Sequence, residues 1–280
     1  SANCDVTDTG CNIEIQFNTS GINSAALQFL ANHASGTTAQ QSIGLGQYSW
    51  CLPRAQQLTL VKQWANGGTG HTATVTTTGG TANAAVSSTS TGSNSTTGTA
   101  VTVLAGDVVT LPAETFGGGA NAADYDTTVA CTGGTTLASG AVGRSITISN
   151  SATPTVCTYT NTRKSQSLTL SKQWVNAVSG HTASATTTGG TNNATVSSTS
   201  TGNNLTNGTT VTVYAGDVVT LPTETFGGGA IAANYTSTLV CTGGTTLASG
   251  AVNRSITISN SATPTVCTYT NTRKSASLTL

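Results

Sequence analysis

The chain has 280 residues, with 9 Lys and Arg against 9 Asp and Glu, and charged residues are only 6% of it. With no net charge and no basic cluster beyond Arg163-Lys164 and Arg273-Lys274, attraction to phosphate backbones has little to act on, which argues against a nucleic-acid partner. No apolar stretch approaches the roughly 18 residues of a membrane-spanning helix, and 7 cysteines without CxxC spacing point to disulfides in an oxidising compartment.

Met is absent, and Thr, Ser, Gly, Ala and Val dominate. Strand-forming β-branched residues therefore alternate with turn formers, a pattern of all-β folds. Residue 1 is Ser, with no Met or basic-apolar leader before it, so the chain reads as mature and secreted, with an extracellular or cell-surface location.

Residues 1–54 form a small N-terminal unit unlike the rest of the chain. They hold Cys4, Cys11 and Cys51, and one short candidate helix from Ser24 to His33 capped by Asn23 or Ser24. Cys4–Cys11 is the expected pairing, with Cys51 competing for either partner. The odd cysteine total leaves one thiol free or paired between molecules.

From here the chain repeats itself. Residues 56–165 recur as 166–275 without a gap, and Cys131 to Ser165 matches Cys241 to Ser275 except where Gly143 becomes Asn253. A unit of this length is one β-sandwich, far longer than a solenoid repeat. The expected domains are sandwiches at 55–165 and 166–275, each of six to eight strands, because Gly pairs such as Gly79-Gly80 and Gly133-Gly134 punctuate Val/Thr-rich runs.

Within each repeat the first strand places Leu58, Leu60, Lys62 and Trp64 on one face by its period of two, and Leu168, Leu170, Lys172 and Trp174 likewise. A lysine thus shares the core face; the alternative is an edge lysine whose ammonium reaches water. His71 and His181 follow Gly and are expected to be exposed turn residues, and Asp107 and Asp217 are expected to serve turns. Each repeat has a single Glu, Glu114 or Glu224, beside Leu, Pro and Phe, and the second repeat has no acids but Asp217 and Glu224. Glu114 is out of phase with Val109 and Leu111, so it points inward only if Pro112 breaks the register. In the last strand Cys157, Tyr159 and Asn161 share a face, as do Cys267, Tyr269 and Asn271.

Lys, Glu and Asn brought together in an apolar core permit one reaction. Burial lowers the amine pKa and raises that of the carboxyl. The neutral amine can then attack the carboxamide carbon while Glu moves protons, leaving an amide between first and last strands. The motifs Leu-Thr-Leu-x-Lys, a mid-repeat Glu and Thr-Tyr-Thr-Asn-Thr-Arg-Lys resemble the collagen-adhesin B-type, prealbumin-like repeats of bacterial surface proteins, over 58–164 and 168–274. The resemblance implies immunoglobulin-like (prealbumin-like) sandwiches, with Lys62 and Lys172 as amine partners, Asn161 and Asn271 as amide partners, and Glu114 and Glu224 as proton shuttles. Cysteines set this chain apart from many members of that family. Cys131 with Cys157, and Cys241 with Cys267, are read as one disulfide per repeat.

The expected function is a non-enzymatic structural stalk or filament of the bacterial surface, without cofactor or metal: no GxSxG or HExxH arrangement occurs. The alternative is an adhesin that holds a glycan or host protein in sandwich-end loops. Residues 276–280 begin a third copy, either continued as another repeat or donated as a strand to the N-terminal unit of the next molecule, which would give head-to-tail self-association.

Overall fold

The computed structural model describes residues 53–276. The helix expected over Ser24–His33, the pairing Cys4–Cys11 and all but the first residue of 276–280 lie outside them.

The described chain is two β-sandwiches in tandem. In the first repeat the opening strand, Ala55–Ala65, is an interior strand of the larger sheet, whose order is Ser95–Thr97, Ala55–Ala65, the closing strand Thr155–Arg163, Tyr125–Gly133 and Leu137–Gly140. Val101–Leu104 pairs with the start of the opening strand. The facing layer holds Thr72–Thr76 between Ala85–Thr89 and Thr115–Gly117, and the antiparallel pair Val108–Leu111 and Arg144–Thr147. The second repeat copies the larger sheet as Asn204–Tyr214, Ser165–Val175, Thr265–Arg273, Tyr235–Gly243 and Leu247–Gly250.

Alternation explains the core. Along the opening strand Gln56, Leu58, Leu60, Lys62 and Trp64 are buried and their neighbours are not, and along the closing strand Thr155, Cys157, Tyr159, Asn161 and Arg163 are buried. Leu58, Leu60, Val129 and Tyr159 from one layer pack on Val75, Val86, Val109, Leu111 and Ile146 from the other. Each such side chain contributes about 1.5–3 kcal/mol when fully withdrawn from water.

The strands number eleven in the first repeat and ten in the second, more than the six to eight expected. Short breaks subdivide the edges: Ser95–Thr97 and Val101–Leu104 are separate in the first repeat, whereas the second runs unbroken as Asn204–Tyr214 with a register shift between Thr169 and Ser171. Gly98 lies in that break, and a Cβ there would meet the Ala85 carbonyl oxygen, so glycine is required where the two layers close on each other.

Opening and closing strands are parallel neighbours, with Leu58 opposite Thr155 and Ala65 opposite Thr162. Only Lys164 separates the closing strand of the first repeat from the opening strand of the second. The two repeats also touch: Arg163 Nη2 is 3.0 Å from Asp217 Oδ1, Arg163 Nε donates to Ala215 O at 2.8 Å, and Asn260 Nδ2 donates to Ala123 O at 3.1 Å.

Candidate functional site: a buried Lys–Glu–Asn cluster

The same cluster forms in both repeats. Lys62 is fully buried, with Nζ 3.2 Å from Glu114 Oε1 and 3.3 Å from Oε2, 3.5 Å from Tyr159 O and 4.7 Å from the Trp64 ring centroid. Lys172 Nζ is 3.0 Å from Glu224 Oε1, 3.4 Å from Tyr269 O and 4.6 Å from the Trp174 ring. An edge lysine reaching water is therefore not what the fold contains.

Glu114 gets inside because its strand stops. Val108–Leu111 ends at Leu111, and after Pro112 the chain joins a different sheet through Thr115–Gly117, which pairs with Thr72–Thr74. The alternation is reset across Pro112–Glu114. Tyr159 Oη donates to Pro112 O at 3.1 Å, and Tyr269 does the same to Pro222 O at 2.9 Å, so each closing strand fastens the segment that carries the Glu.

Asn161 and Asn271 are fully buried, and neither the Nδ2 nor the Oδ1 of either has a hydrogen-bond partner. The register puts Asn161 opposite Trp64 and Lys62 opposite Tyr159, so Lys62 and Asn161 are diagonal neighbours on the core face of adjacent strands. Burial lowers Lys62 and Lys172 from 10.5 to about 8, against the opposing pull of the Glu charge. Burial raises Glu114 and Glu224, opposed by the lysine and, outside full hydrogen-bond geometry, by the adjoining Asn carboxamide. A neutral amine is thus accessible near neutral pH.

An aromatic cluster closes this end of the sandwich. Trp64 meets Phe116 and Tyr125 edge-on at 6.4 and 5.5 Å between centroids, and its Nε1 donates to Ser88 Oγ. His71 is not the free turn residue expected: it is half-buried, with Nδ1 2.6 Å from Tyr125 Oη, and His181 meets Tyr235 in the same way at 2.7 Å. Asp107 serves its turn, accepting from Thr81 N and Leu104 N. Asp217 keeps those bonds and adds the pair with Arg163.

At the other end, disulfides join Cys131 to Cys157 and Cys241 to Cys267. Each links directly opposed residues of the closing strand and its antiparallel neighbour. Beside it Gln56 Oε1 accepts from Thr155 Oγ1 at 2.7 Å, a buried polar bridge absent from the sequence expectations. Among the described residues no group of three or more His, Cys, Asp or Glu is arranged to hold a metal, and no helix is long and apolar enough to cross a membrane.

No protein-family model and no curated protein sequence matches the chain. Solved structures to which it is similar include the major pilin protein T-13 of Streptococcus pyogenes, at TM-score 0.39 and 13% identity over 78% of this chain and 97% of that one. A crystal structure of the major pilin of Streptococcus pyogenes matches at TM-score 0.37 and 15% identity, over 78% and 98%. A third is an adhesin of Mobiluncus mulieris described as containing intramolecular disulfide, isopeptide and ester bond cross-links, at TM-score 0.28 and 12% identity over 75% and 88%.

Proposed function

We propose that the chain is a tension-bearing structural protein of the bacterial surface, a stalk or filament segment whose repeats are each closed by a self-formed amide, Lys62–Asn161 and Lys172–Asn271. The observation that carries this is the pair of buried carboxamides without partners, each beside a buried Lys–Glu pair. An amide with no hydrogen bond in the interior costs about 1–3 kcal/mol, and burying an ion pair is also unfavourable. Condensation of the two groups removes the amine charge and consumes the carboxamide.

The step balances without a co-reactant. Neutral Lys62 Nζ attacks Asn161 Cγ and a C–N bond forms; Glu114 takes the proton from the attacking nitrogen and delivers one to the departing amino group. The Cγ–Nδ2 bond breaks, ammonia leaves, and Glu114 ends as it began. The amide joins the strands through which a pull enters and leaves the repeat. Because these strands are parallel neighbours, force applied to the two chain ends shears them past each other, and the amide lies across that shear. Disulfides beside the same strand agree with an oxidising, extracellular setting.

Intact mass of fully reduced protein tests the proposal. One ammonia lost per repeat supports it, and Glu114→Ala with Glu224→Ala should restore the full sequence mass. A reduced wild-type chain at full mass would overturn it.

A further inference from the structure

A cleft of about 530 Å³ opens where the two repeats meet, a size typical of ligand sites, about 300–1,000 Å³. One wall is the first repeat's turn at Asn66–Thr69 with His71; the other is the second repeat's segment 189–192 with Tyr214, and Arg163 and Asp217 also line it. The repeats are near copies, yet several of their differences fall here. The first repeat has Gly67 and Gly68 where the second has Ala177 and Val178, and the second has Asn192 and Tyr214 where the first has Ala82 and Leu104. Gly68 leaves this wall without a side chain beside the His71 ring, whereas the second repeat carries Val178 there with His181 still against Tyr235. The substitutions on the other wall supply an aromatic ring and an amide.

The lining chemistry selects a ligand class. Arg163 and Asp217 neutralise each other at 3.0 Å, and Asp217 is further satisfied by Thr191 N, Thr191 Oγ1 and Tyr214 N. An anionic or cationic ligand therefore meets charges already paired. An apolar ligand meets one half-buried ring among amides, hydroxyls and glycine backbone. Asn66 and Asn192 are exposed on opposite walls; Asn192 Nδ2 donates to Thr212 O at 2.7 Å, which holds the amide in place and leaves its Oδ1 to accept from a ligand.

We infer that this cleft binds a neutral saccharide, with Tyr214 against the C–H face of the sugar and Asn66, Thr191 and Asn192 bonding its hydroxyls. The site exists only where two repeats adjoin, and two of its contacts, Asn192 and Tyr214, are residues in which they differ. It does not depend on the Lys–Asn amide, so ammonia loss and sugar binding succeed or fail separately.

Saturation-transfer NMR and calorimetry on the full chain, with methyl α-mannoside, methyl β-galactoside and N-acetylglucosamine as probes, test the inference. At least one probe should bind, and Tyr214→Leu and Asn192→Ala should each weaken it, the former about tenfold for loss of one aromatic contact. Both variants install the residue that the first repeat folds with at the same position, and circular dichroism verifies that the fold is kept. If none of the three sugars binds, or if one binds equally well to both variants, the inference is wrong.

Discussion

Trp64 and Asn161 stand opposite each other across the parallel opening and closing strands, and Trp64 Nε1 is already committed to Ser88. The indole therefore walls in the Asn161 carboxamide without bonding to it, leaving Lys62 and Glu114 as its reactive neighbours. Asn161→Ala should retain the second repeat's bond and show one ammonia lost by mass. Opening a crosslinked loop of this length should cost the first repeat on the order of 4 kcal/mol, seen as a lower melting temperature of one of two transitions.

The disulfides should act independently of the amides. Each spans a sequence separation of 26, and Cys131→Ala with Cys157→Ala should cost about 3 kcal/mol by loosening the unfolded chain's constraint. Because the amide would still join the same closing strand, the double variant should remain folded at room temperature in denaturant titrations. Combined with Asn161→Ala, it should leave the first repeat with neither staple and much closer to unfolding.

A pH dependence should appear only where the amide cannot form. In Asn161→Ala with Asn271→Ala, Lys62 and Lys172 remain amines with folded pKa values near 8 against 10.5 unfolded. Below pH 8 both states are protonated and the folded state carries the whole cost of a buried ammonium. As pH rises from 8 to 10.5 the folded amines lose protons that the unfolded chain still holds, so stability should rise across that window. The raised pKa of Glu114 and Glu224 works in the opposite sense, its stabilisation fully present below 4.5 and lost as pH rises through the folded value. Wild-type protein should lack the alkaline rise, as chemical denaturation from pH 7 to 10.5 would reveal.

Arg163→Ala should weaken the junction more than either sandwich. It leaves Asp217, 9% exposed, without its cation, and breaking such a pair from one side costs about 3–5 kcal/mol when burial is complete. The two repeats should then melt less cooperatively, and small-angle scattering should show a wider spread of inter-repeat angles. Arg273→Ala, at an exposed position, should do neither.

The period of two was enough to place Lys62 and Asn161 inward, because strand alternation is a local property of the backbone. Glu114 needed more: its inward turn depends on the chain leaving one sheet for the other after Pro112, which sequence suggests only as a condition. The strand count was less legible, since small differences such as that between Ser95–Thr97 and Asn204–Tyr214 decide whether one edge is continuous. The buried contact of His71 is hidden from the sequence because its partner, Tyr125, is distant in the chain and meets it only after the aromatic cluster assembles. The Arg163–Asp217 pair depends on how two sandwiches dock, and its only trace in the sequence is that Arg163 shares the buried face of Asn161.

The single residue between the sandwiches, Lys164, has a geometric consequence. Its N donates to Asp124 O and its O accepts from Ala215 N, so the connection is bonded on both sides and has no slack for swivelling. Going from the first repeat to the second is then one fixed screw operation, a set rotation with a set advance. Each surface feature that the two sandwiches share reappears on the neighbour at a constant azimuth, so any array propagated by this junction winds with a definite handedness and pitch.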